Sequence, residues 1–132
     1  MDTISTSVQA NRMVVIGVLF VLTLLSGLWV SNAGKPYNTW IFGFHKIFAM
    51  AAVIILGMRV VSLYKTLDIQ SMILIAAIIA AALLLLALIV SGSLLSLDIT
   101  LSGLSLKIHQ IAPLLAVAAS AITIYLLIGS KV

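Results

Sequence analysis

The sequence predicts an all-α fold, a four-helix transmembrane bundle running up-down-up-down, and three observations carry that prediction. Only 8% of the 132 residues are charged and 64% are hydrophobic, whereas soluble domains are about 25% charged. Four apolar stretches, about 12–31, 40–63, 70–91 and 105–128, each reach the roughly 20 residues that a helix needs to cross the hydrocarbon. The connections between them are short: "NAGKPYN", "YKTLDI" and "GSLLSLDITLSG". Lipid offers no partner to a backbone N–H or C=O, so each spanning stretch must bond internally as a helix. Residues 1–132 are read as one domain, with both ends on the same side and no low-complexity tract or repeat.

The first stretch has a signal-peptide look, because "SNA" before Gly34 places small residues where cleavage would fall. Its apolar run from Met13 to Val30 is longer than the 7–15 residues of a signal core, so it is read as a retained helix. The second, "WIFGFHKIFAMAAVIILGMRV", buries a histidine and a lysine in an oily context. The third, at about 70–91, is read as a spanning helix. In the fourth, Pro113 has no N–H for the carbonyl of His109, four residues back, and is expected to kink the helix there.

Charge assigns sidedness. With both termini inside, the inner side holds Arg12, Arg59, Lys65 and Lys131, and the outer side holds Lys35, Lys46 and Lys107. The inner excess and the inner position of both arginines predict cytoplasmic termini, in an inner or plasma membrane. The net charge of +4 is accounted for by basic side chains facing anionic lipid headgroups. Lipid is therefore the expected partner and nucleic acid is not; a homo-oligomer stays open.

Several classes drop out. Asp2, Asp68 and Asp98 fall in the tail and loops, so the mid-membrane carboxylate of a proton-coupled exporter is missing. Absence of cysteine excludes disulfides, iron–sulfur clusters and thioether-attached haem. No Ser-His-Asp set, metal cluster or phosphate loop is present to support hydrolysis.

What stays is a pair of histidines. His45 lies about five residues into the second stretch and His109 about four into the fourth. These stretches run in the same direction, so both imidazoles are expected at one depth near the outer face. Two such groups can ligate one iron from opposite sides, as in a noncovalent b-type haem. Small residues follow at helical spacing, Ala49 and Ala52 after His45, and Ala112, Ala116, Ser120 and Thr123 after His109. Lys46 and Lys107 stand where haem propionates would point. Met50 is a reserve ligand at a poorer angle. The ordinary explanation of an interfacial histidine is an interhelical hydrogen bond; of Trp29, Tyr37 and Trp40, an aromatic belt; of Arg59, a snorkelling end.

The second stretch resembles the bacterial cytochrome b561 family of four-helix membrane cytochromes. The likeness rests on His45-Lys46, a small residue at Ala49, an aliphatic run and Arg59, fourteen residues after the histidine. The family carries glycine at the Ala49 position. It also has an inner haem ligand on the first helix and a second histidine fourteen after the first on the fourth; here those places read "NRMVV" and Thr123. The resemblance implies one haem b per chain, held by His45 and His109, in place of the family's two. It further implies a quinone-linked oxidoreductase that passes electrons between membrane quinone and an outer-face partner protein. The rival class is a non-redox accessory or assembly subunit, or a small channel, of a larger membrane complex.

Overall fold

The computed structural model describes residues 2–66, 71–97 and 103–129, without the side chains of residues 2–6 and 9. Asp68, Asp98, Lys131 and the side chain of Asp2 therefore lie outside the described residues. The elements are α1 (Asp2–Ala33), α2 (Thr39–Tyr64), α3 (Met72–Ser96) and α4 (Leu104–Gly129), with no strand among the described residues. The predicted class holds: the chain is all-α, and all four helices are long and apolar enough to cross a membrane. At 1.5 Å per residue, the 26 residues of α2 span ~39 Å, enough to cross about 30 Å of hydrocarbon and reach the headgroups.

The helix ends explain the boundaries. Asn38 caps α2, its Oδ1 accepting from the backbone N–H of Trp40 at 3.0 Å and of Ile41 at 3.4 Å. Ser71 does the same for α3 through the N–H of Leu74, at 3.2 Å. Such caps satisfy amides that the first helical turn leaves without partners. Gly34, directly after α1, has φ +69°, the left-handed conformation that closes helices and that glycine adopts without strain.

Two boundaries differ from expectation. α1 begins ten residues earlier than predicted, because the polar segment from Asp2 continues as helix ahead of the membrane span at Ala10–Ala33. α3 runs on to Ser96, through the "GSLLS" that the sequence reading assigned to a loop. Glycine and serine cost a helix interior at most about 1 kcal/mol each, and packing against α4 offsets that. α4 itself is continuous through Pro113.

The chain divides into two compact units, Met1–Arg59 and Val60–Val132. In the first, α1 and α2 meet around His45. In the second, α3 packs along α4. Large apolar side chains such as Val14, Leu25, Ile73 and Leu114 are more than half exposed. An exposed apolar surface of this extent suits lipid chains, not water.

Candidate functional site

Each histidine sits in a cradle made by the preceding helix, and the two cradles use the same parts. Ser26 and Gly27 of α1 face His45, and Ser91 and Gly92 of α3 face His109. A Cβ added at Gly27 would lie 2.9 Å from Cε1 of His45, and one added at Gly92 would lie 2.9 Å from Cε1 of His109. Real carbon atoms do not approach so closely, so each imidazole brings Cε1 against a backbone that only glycine leaves bare. The sequence reading missed both glycines: Gly27 was hidden in an apolar run and Gly92 was placed in a loop. The available signal was a Ser-Gly pair 18 or 19 residues before each histidine, Ser26-Gly27 before His45 and Ser91-Gly92 before His109.

The serine hydroxyls complete the cradles. Ser26 Oγ donates to the carbonyl of Thr23 at 3.1 Å and lies 3.2 Å from His45 Nδ1. Ser91 Oγ donates to the carbonyl of Leu88 at 3.2 Å and lies 2.9 Å from His109 Nδ1. At His45 there is a further acceptor, the Thr23 carbonyl, 3.1 Å from Nδ1. A carbonyl only accepts, so His45 carries its proton on Nδ1 and keeps the ring lone pair on Nε2.

The correspondence extends down the helices. Counting from His45, the buried residues of α2 come 7, 11, 14 and 18 positions on: Ala52, Leu56, Arg59 and Leu63. Counting from His109, buried residues of α4 come at the same intervals: Ala116, Ser120, Thr123 and Leu127. These intervals trace one helical stripe. The two hairpins therefore repeat a plan that the sequence reading did not register as a repeat, since leucine stands opposite serine and arginine opposite threonine.

Ala52, Ala112, Ala116, Ser120 and Thr123 are buried, with Ala116 at 0% exposure, while Ala49 is half-buried. Lys46 is exposed and holds its Nζ 4.4 Å from the centroid of the Phe42 ring; Lys107 is also exposed. Met50 is 53% exposed, off the buried stripe of α2 and therefore a poor reserve ligand. Trp29 and Trp40 are exposed, as belt residues are, and Tyr37 stacks on Phe42 with ring centroids 5.4 Å apart. Arg59 is not the snorkelling end that the sequence suggested. It is 7% exposed, because its position on α2 is part of the buried stripe.

Among the described residues, no group of three or more His, Cys, Asp or Glu side chains is placed to hold a metal ion. A haem asks less of the protein, because the porphyrin supplies four of the iron's ligands and two imidazoles complete the set. The donor chemistry fits, since a ligating histidine ordinarily gives its other ring N–H to a carbonyl or similar acceptor. Compared with protein-family models, curated proteins and solved structures, the chain matches none.

Proposed function

We propose that the protein is a membrane b-type cytochrome that binds one noncovalent haem through His45 and His109 and passes electrons between membrane quinone and a partner at the outer face. The observation that carries this reading is the doubled cradle. Each hairpin contributes one imidazole, close against a glycine, with Nδ1 engaged by the neighbouring helix. His45 thereby offers Nε2, the nitrogen suited to an axial bond. Haem would supply one-electron chemistry, and with both His45 and His109 holding its iron, electron transfer would be favoured over oxygen binding.

The remaining roles belong to the chain. Lys46 and Lys107, exposed beside the histidines in sequence, suit the propionates, where cation and carboxylate offset each other's charge. Ala116 and the half-buried Ala49 keep bulk away from the ligands. The resemblance to the cytochrome b561 family supports the quinone and the outer-face partner, and the arginine bias supports cytoplasmic termini. Fold alone does not fix activity. The test is kinetic: reduced protein mixed with oxidised quinone analogues should reoxidise, followed at the Soret band. Failure with every quinone, together with rapid carbon monoxide binding, would favour a sensor or carrier.

A second reading has its own support. The interhelical bonds to Ser26 and Ser91 by themselves justify histidine as a structural residue, as in a non-redox accessory subunit. That protein purifies colourless.

A further inference from the structure

The turn between α1 and α2 gathers most of the rings of the chain. All aromatic residues except Phe20, Tyr64 and Tyr125 fall between Trp29 and Phe48, whereas an interfacial belt places Trp and Tyr at both ends of spanning helices. Four side chains there form a ladder. Lys35 holds its Nζ 5.8 Å from the centroid of the Tyr37 ring. Tyr37 stacks on Phe42, centroids 5.4 Å apart and planes 24° from parallel, and Lys46 holds its Nζ 4.4 Å from the Phe42 centroid. Phe42 and Lys46 are four residues apart on α2 and so share a face of it. The attraction between a ring face and a cation places two ammonium groups that would otherwise roam.

We infer that the ladder of Lys35, Tyr37, Phe42 and Lys46 is a binding site for the phosphate headgroup of an anionic phospholipid. The occupant follows from charge and place. Both lysines are exposed, and no acidic residue occurs between Thr3 and Leu67, so the ladder brings two positive charges in a stretch of sequence with no negative one. Lysine meets a phosphate as a point charge, and a cation already in place loses less freedom on binding. Aromatic rings at a helix end sit at headgroup level, and the membrane that the apolar helices need supplies the lipid. Trp29 and Trp40, 64% and 78% exposed at the same end of the hairpin, are placed to meet the acyl chains below that headgroup. The inference goes beyond the haem reading and does not need it. Lys35 has no part there, and the Lys46 ammonium has three N–H donors, enough to face a phosphate beside a propionate.

Trp29 and Trp40 are the only tryptophans of the chain, so its tryptophan fluorescence reports the lipid at this end. The protein is reconstituted in equal mixtures of phosphatidylglycerol and phosphatidylcholine, with bromine, a quencher, on the acyl chains of one lipid or the other. Brominated phosphatidylglycerol should quench the wild type more strongly. Lys35→Gln should lower that preference about fivefold, the equivalent of ~1 kcal/mol for one lysine at a membrane surface, and Lys35→Gln/Lys46→Gln should abolish it. Phe42→Leu keeps both charges but removes a rung, and should also lower the preference; Lys65→Gln, at the far end of α2, should not. Equal quenching by the two lipids in the wild type would overturn the proposal, as would a preference that survives in the double variant or in full in Phe42→Leu. An equal loss in Lys65→Gln would do the same, by reducing the effect to net charge. Sodium phosphate in place of chloride at one ionic strength should leave the preference intact; its loss would give the lysines to a soluble anion and overturn the lipid. Haem quenches both mixtures alike, so the Soret band judges the haem reading separately.

Discussion

The α1–α2 hairpin and the α3–α4 hairpin solve one problem twice. Each lays an imidazole on a glycine, engages Nδ1 with the preceding helix, and buries a stripe 7, 11, 14 and 18 residues beyond the histidine. They part at the details. The first carries Leu56 and Arg59 on the stripe, where the second carries Ser120 and Thr123. What repeats is the set of contacts that a ring needs, so that set is what the histidines require of a helix pair. What varies is free to specialise. The Oγ of Ser120 is buried with no hydrogen-bond partner among the described residues, an uncommon condition for a hydroxyl, and it has no counterpart at Leu56.

The comparison breaks most completely at the histidines. His45→Ala and His109→Ala should each abolish the proposed low-spin haem or leave it five-coordinate, read from the visible spectrum of purified protein. Equivalent roles require equal losses. A double variant that keeps an unchanged bis-histidine spectrum would remove both residues from the assignment.

The glycines should come next. Gly27→Ala and Gly92→Ala each drive a methyl group into an imidazole, and such overpacking costs about 2 kcal/mol. Gly17 and Gly57 have nothing within 4 Å of an added Cβ, so alanine there should stabilise the helix by roughly 0.5–1 kcal/mol. Unfolding in detergent, run on all four variants, separates the cradles from glycine content in general. Equal behaviour at all four positions would deny the close approach.

The serines should give the smallest effects. Ser26→Ala removes the contact to His45 Nδ1 at 3.2 Å and Ser91→Ala the contact to His109 Nδ1 at 2.9 Å, and each should cost about 1 kcal/mol. The same detergent unfolding measures both, and no loss at either position would take that hydroxyl out of its cradle.

Much of the fold was legible in the sequence, because lipid constrains it so strongly. Long apolar runs with few charges admit little besides spanning helices, and α2 and α4 fall within a residue of their predicted ends. α3 was ended at Ser91, ahead of a serine- and glycine-bearing segment of the kind that ordinarily punctuates a chain; here Ser91 and Gly92 continue the helix and face a ring. The histidines and the small residues after His109 could be read from spacing. Their supports could not. Neither Ser26 nor Gly92 looks different from the many small residues of a membrane helix, and only the fold places each opposite an imidazole. Arg59 was misjudged for a related reason: position near a helix end suggested an exposed head, and the register of the buried stripe decided otherwise.

The central claim is that the doubled cradle serves a haem, and a reduced-minus-oxidised spectrum of the purified wild-type protein tests it most directly. The account predicts a red protein with the sharp Soret and α bands of a bis-histidine b-type haem, at one haem per chain. A colourless protein from haem-replete cells, folded by the detergent criterion yet with no Soret band after haem is added, would contradict it and leave the histidines as bonds between helices.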